Sequence, residues 1–189
     1  SSAASDVYKR QALKESDLDF DKAVIYLREK GLADSKKRSG KEANEGTIGD
    51  YIHYQQDRAV AGVLVELACE TDFVAKSEEF KEAAKQIAMH IAAMKPAYLN
   101  IEEVPESKVN EEKDIIKKQS ENEGKPQEVI DKIVEGKITS FYSDTVLNEQ
   151  IFCNPELYEG TVGNMIDEMS GKLGEKIYIK QFSHIEIGT

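Results

Sequence analysis

Two hydrophobic periods divide the chain. From Thr47 to Tyr54 positions alternate, with Ile48 and Ile52 set among polar residues, and Ala59 to Glu70 is rich in Val and Leu. Alternation of this kind suits a half-buried strand, because successive side chains point to opposite faces. The intervening Gln55-Gln56-Asp57-Arg58 has the length of a hairpin loop, so the two runs are expected to pair antiparallel. A third strand is expected over Lys176 to Ile187, where Ile177, Ile179, Phe182, Ile185 and Ile187 alternate with one slip, as a bulge produces.

Elsewhere the helical period rules. Ser77 to Met94 sets Phe80, Ala83, Ala84, Ile87, Ala88, Ile91 and Met94 on one face. Ser77 is placed to cap that helix, Glu78 and Glu79 complement its positive end, and Pro96 follows its end. Residues 102–121 and 126–144 read as two more helices, with Gly124 after the first and Pro126 starting the second. A joint that short implies an antiparallel helical hairpin projecting from the sheet. Asp19 to Gly31 reads as a short helix, capped by Asp19, carrying Ala23, Val24 and Leu27 on one face and stopped by Gly31. It needs a partner helix, and the one candidate upstream is a stub around Ala12-Leu13. Thr161 to Leu173 is the last helix, weakened by Gly163 and Gly171. Lys36 to Lys41 reads as a basic solvated linker, and residues 1–11 as a disordered tail foreign to the rest.

The fold class expected is α+β: a small antiparallel sheet packed against helices, with a projecting helical hairpin. The domain plan is a tail at 1–11, an N-terminal helical module at 12–36, a linker at 37–46 and a core sheet and helix at 47–100. A hairpin arm at 101–145 follows, and 146–189 completes the core with the terminal strand.

Composition narrows the chemistry. The 189 residues are 40% hydrophobic, enough for a core. Asp plus Glu number 36 against 25 Lys plus Arg, a formal net charge of −11 that repels phosphate backbones and disfavours direct nucleic-acid binding. The longest apolar run, Ala59 to Ala68, is about half of what a bilayer span needs. The start lacks the charged-then-apolar order of a signal peptide. Cys69 and Cys153, with no CxxC, make neither a disulfide framework nor a structural zinc site. GxGxxG, GxxxxGK[ST], GxSxG and HExxH are all missing, and His53, His90 and His184 lack metal-ligand spacing. A soluble protein acting by surface contact is expected, without catalytic residues, cofactor or metal.

One stretch carries more. Val65-Glu66-Leu67-Ala68-Cys69-Glu70-Thr71-Asp72-Phe73-Val74-Ala75-Lys76 closely resembles the signature of the elongation factor Ts family, the guanine-nucleotide exchange factors of elongation factor Tu. The resemblance continues through Ile87-Ala88-Met89-His90-Ile91-Ala92-Ala93, Pro96 and Tyr98-Leu99. It returns in Asn122 to Pro126, Ile133 to Lys137, Glu149-Gln150 with Phe152, and the terminal strand, so that roughly residues 12–188 are covered with the motifs in the family's order.

The resemblance implies a role for specific residues. The loop Thr71, Asp72, Phe73 and Val74 would contact the partner, with Asp72-Phe73 inserted between two helices of its G domain near the switch region and magnesium site. Met89 and His90 would approach the partner's phosphate-binding loop, and the hairpin 102–144 would form a projecting arm. Of the family's ubiquitin-associated-like N-terminal domain only Ala12-Leu13, Ala23, Leu27 and Gly31 match. SSAASDVYKRQ stands in place of a partner-gripping segment of the TGAGMMDCKKAL type. Longer members carry two core units; a single one implies a homodimer. The chain itself is expected to bind no nucleotide, metal, membrane or nucleic acid, and to work in a bacterial cytoplasm, an organelle matrix being compatible too.

Plainer readings compete at each position. Taken alone, Asp72-Phe73 fits an Asx turn with Phe73 folded into the core, His90 fits a structural helix residue, and Cys69 fits a small core residue. Two other function classes remain: a helical-hairpin scaffold without exchange activity, and a small acidic hydrolase using Asp72, His90 and Glu70. The second lacks a nucleophile motif and a glycine loop.

Overall fold

A three-stranded antiparallel sheet organises the computed structural model, which describes residues 10–38 and 40–188. Its order is β1 (Glu45–Gln55), β2 (Arg58–Cys69), β3 (Tyr178–Glu186), so β2 is central. The turn between β1 and β2 is tight, with Gln56 at φ 58. The expected slip lies in β3: Glu66 faces Gln181 while Leu67 faces Ile179, leaving Lys180 as the extra residue. That bulge restores Phe182 to the inner face after the polar pair Lys180-Gln181.

The helices are α1 (Phe20–Arg38), α2 (Asp72–Ala75), α3 (Glu78–Met94), α4 (Glu106–Asn122), α5 (Gln127–Thr145) and α6 (Val162–Leu173). Among the described residues, none is long and apolar enough to cross a membrane. The inner face of β2, Val63, Val65, Leu67 and Cys69, is buried under Phe80, Ala84, Ile87 and Ile91 of α3 and Ile166 and Met169 of α6. Each large side chain so buried contributes about 1.5–3 kcal/mol. Helix α3 sits close to β1 because Gly49 lacks a side chain: a Cβ there would lie 2.2 Å from the Ala84 carbonyl oxygen. Ser77 caps α3 as expected, its Oγ accepting from the Phe80 N–H at 3.3 Å.

The sheet's outer face is different. Ile48, Ile52, Leu64 and Ile185 point away from the helices and are exposed.

Helices α4 and α5 form the expected hairpin, joined through Gly124 at φ 70. The first helix starts at Glu106 and not at 102, because residues 101–103 form a 3-10 turn ahead of Pro105. The arm has its own small core of Ile116, Ile130, Val134 and Ile138, separate from that under the sheet. Its two ends are stitched together where Tyr98 N–H donates to Thr145 O at 3.1 Å and Leu147 N–H to Tyr98 O at 2.8 Å.

The N-terminal part departs most from expectation. Asp19 does cap α1, its carboxylate accepting from the Lys22 N–H at 3.1 Å. Gly31, however, does not end the helix, which runs on to Arg38. Gly31 is instead a close-packing point: a Cβ there would sit 3.3 Å from the Cα of Glu168 on α6. The packing partner of α1 is therefore α6. Residues 36–38 of the expected linker are helical, and Arg38 donates to the Ser170 carbonyl at 3.4 Å. Of the expected tail, 10 and 11 lie in that first helical segment and the remainder falls outside the described residues.

Candidate functional site

Strand β2 ends at Cys69, and the chain reverses into the single turn α2 within two residues. Thr71 makes the reversal possible. Its backbone is extended at φ −125 and ψ 151, and its hydroxyl oxygen accepts from the Val74 N–H at 3.4 Å. The whole corner is held by a residue far along the chain. Glu175 Oε2 accepts from the N–H groups of Glu70 and Thr71, both at 3.1 Å, and Oε1 accepts from the Thr71 hydroxyl at 2.5 Å. Glu70 in turn accepts from the Lys176 N–H at 2.6 Å and from Lys41 Nζ at 2.9 Å.

One turn of helix mounted on that corner can bury only one side. Val74 and Ala75 face the core, while Asp72 and Phe73 face out. Phe73 is 84% exposed, which removes the reading in which it folds back inside. A free-standing aromatic of this size costs solvation and is unusual without a partner to cover it. Beside it lies a shallow cavity of about 340 Å3 lined by Asp72, Phe73, Lys76 and Ser77. The Asp72 carboxylate accepts from Lys76 Nζ at 2.6 Å, and that bond, with the ammonium charge, holds its pKa below the usual carboxylate range. Both side chains are largely in solvent, so the pair adds little to stability. Cys69 is buried, and burial followed by the nearby Glu175 charge pushes its thiol up to about 11, so it is a core residue and no nucleophile.

The second expected contact region is built the opposite way. His90 is 0% exposed. Its Nδ1 accepts from the Cys153 N–H at 3.1 Å, which makes Nε2 the protonated nitrogen, donating to Gln150 Oε1 at 3.0 Å. The ring stacks on Phe152 with centroids 5.5 Å apart. Gln150 then donates from its amide to Asp144 O at 2.9 Å and Met94 O at 3.3 Å, the carbonyls ending α5 and α3. Burial lowers the His90 pKa from its ordinary value, with the Gln150 bond opposing. His90 therefore ties the base of the arm to the core helix.

Of the six residues expected to meet the partner, the corner brings Thr71, Asp72, Phe73 and Val74 together. Met89, half-exposed, lies well along α3, about 17 Å from its first turn at the usual helical rise. Val74 and His90 are both buried, Val74 on the core side of the α2 turn and His90 within α3. The residues of the hydrolase reading are not assembled: Asp72 is paired with Lys76, Glu70 with Lys41, and His90 with Gln150. Glu175 escaped sequence reasoning because it lies 104 residues from Thr71 and belongs to no motif. Gln150 and Phe152 stood within the matched series without an assigned role.

The chain is a small sheet-and-helix core that presents an exposed aromatic, Phe73, on a hydrogen-bonded corner and carries a helical-hairpin arm. The family described as elongation factor TS matches residues 21–189. The elongation factor Ts of Fervidobacterium nodosum is 45% identical over 179 residues, 95% of this chain and 88% of that relative. That of Syntrophus aciditrophicus is 44% identical over 180 residues, covering 95% and 87%, and that of Heliobacterium modesticaldum 46% over 180, covering 95% and 81%. The chain belongs to the elongation factor Ts family, the guanine-nucleotide exchange factors that serve elongation factor Tu in translation.

Proposed function

We propose that this chain releases GDP from elongation factor Tu by seating Phe73, with Asp72 beside it, between helices of the partner's G domain near its switch region and magnesium site. The observation that carries the reading is the outward, 84% exposed Phe73 on a corner pinned by hydrogen bonds. Burying such a side chain in the partner is worth about 1.5–3 kcal/mol, roughly one to two decades in an equilibrium. That energy is available only to the partner conformation that accepts the ring. A ligand shifts an equilibrium by its differential affinity, so a chain that prefers the nucleotide-free G domain must weaken GDP binding by the same factor. No covalent bond changes in this scheme, which needs neither a nucleotide nor a metal on the chain itself. Met89 is a secondary contact candidate on α3.

The test is release of a fluorescent GDP from elongation factor Tu with and without the chain. Acceleration supports exchange. Binding without acceleration would select the scaffold reading, to which the exposed arm is equally suited.

The open sheet face supports a homodimer. Ile48, Ile52, Leu64 and Ile185 are exposed on that face, where a second copy can cover them by two-fold symmetry. Sedimentation at tens of micromolar, roughly the range of moderate affinity, should show a dimer that Ile52→Lys dissociates. A net charge of −11 supports a partner that is protein and not nucleic acid, and bacterial relatives support action in a bacterial cytoplasm.

A further inference from the structure

From the geometry of the corner we infer that Glu175 is a positioning residue for nucleotide exchange: its carboxylate sets the angle at which Phe73 leaves the sheet. The inference rests on the wedge reading of Phe73 given above.

Three donors converge on this one carboxylate, and all three belong to the two residues immediately before Asp72-Phe73. The N–H groups of Glu70 and Thr71 and the Thr71 hydroxyl are bound at 3.1, 3.1 and 2.5 Å. Thr71 is exposed, so water would satisfy its two donors if Glu175 were absent, while the Glu70 N–H is only partly open. What water cannot supply is a fixed direction. Bonds to a charged acceptor are stronger than neutral ones, and two oxygens shared among three donors define the plane of the corner. The Thr71 hydroxyl oxygen also accepts from Val74 N–H, so its direction passes into the α2 turn that carries Phe73.

Glu175 is itself held from the other side. It follows Gly174 at the end of α6, and its carbonyl accepts from Ser170 Oγ at 2.5 Å. The Ser170 carbonyl receives Arg38 of α1 at 3.4 Å. Lys41, just beyond α1, reaches Glu70, and its carbonyl accepts from Lys176 Nζ at 2.8 Å. The N-terminal helix and the α6 turn thus brace the residue that braces the wedge. Preorganisation of this kind raises a rate by removing the cost of ordering the loop at the moment of contact.

Glu175→Ala should lower the maximal rate of fluorescent-GDP release from elongation factor Tu about tenfold, the low end of what one charge-assisted bond contributes. The half-saturating concentration and the melting temperature should change little, since the docking surface and the core are untouched. Glu175→Gln keeps one oxygen for the two amides and offers an N–H that Thr71 Oγ can accept, so it should recover most of the rate. In Phe73→Ala the further change Glu175→Ala should have no added effect. The chain contains no Trp, so Phe73→Trp gives a single reporter whose anisotropy should fall when Glu175→Ala is added. Should Glu175→Ala fail to fold, Thr71→Val removes the bond to Oε1 and should lower the rate in the same direction. An unchanged rate in a folded Glu175→Ala protein, or a loss that multiplies with Phe73→Ala, would overturn the positioning role while the wedge stands. Normal exchange by Phe73→Ala itself would overturn both.

Discussion

Phe73 and His90 flank the same stretch of chain, lie in the same family-like series, and meet opposite fates. Phe73 stands 84% in solvent on a four-residue helix, while His90 is 0% exposed with both ring nitrogens bonded. The difference is one of mounting. Helix α2 is a single turn and has one side to bury, which Val74 and Ala75 use. Helix α3 is long enough to be covered by the sheet on one side and by the 150–153 segment on another, so His90 is enclosed although it precedes the core residue Ile91. Resemblance alone assigns both residues to the partner. Burial divides them into one open to a partner and one enclosed in the scaffold.

The sharpest separation should come from deletion. His90→Ala is expected to cost about 3–5 kcal/mol, as for other large buried side chains, because Gln150 Oε1 and the Cys153 N–H also lose their partner. Urea unfolding measures it. The protein that remains folded should still release GDP, and a specific loss of exchange with unchanged stability would break the comparison by making His90 a contact residue.

Phe73→Ala reverses the pattern. Exchange on elongation factor Tu should fall about a hundredfold, roughly the 2 kcal/mol or more of an interface hot spot, with the melting temperature nearly unchanged. Early melting with normal exchange would return Phe73 to the core. Asp72→Ala is a smaller version of the same test. Among the described residues its side-chain ion pair is the exposed one with Lys76, so folding should hold while exchange falls about three- to tenfold, the scale of a rim charge.

The smallest effect is a pH dependence carried by His90. Its folded pKa is lowered by burial, so between that value and the ordinary one near 6.5 the unfolded chain binds the extra proton. Stability from this residue is therefore complete above about pH 6.5 and declines as pH falls toward the folded value. Comparing urea midpoints at about pH 7.5 and about pH 5.5 should show a drop that His90→Gln reduces. An identical drop in both proteins would remove His90 as its source.

Local pattern determined the elements. The two-residue period marked all three strands and the β3 slip, and the helical period with Ser77 marked α3, because side-chain direction repeats with backbone geometry within a few residues. Pattern also placed the joint of the arm at Gly124 and Pro126 and brought the family series to Asp72-Phe73. It erred where the deciding neighbour is distant. Gly31 looks like a helix stop until α6 lies against it, and Lys36 to Arg38 look like a linker until that helix continues. Whether Val74, His90 and Phe73 face in or out, and that Glu175 grips Thr71 across 104 residues, depended on which surfaces meet when the sheet and helices close. Burial is a property of the assembled surfaces and is not encoded in any single segment, so only the tertiary structure decided it.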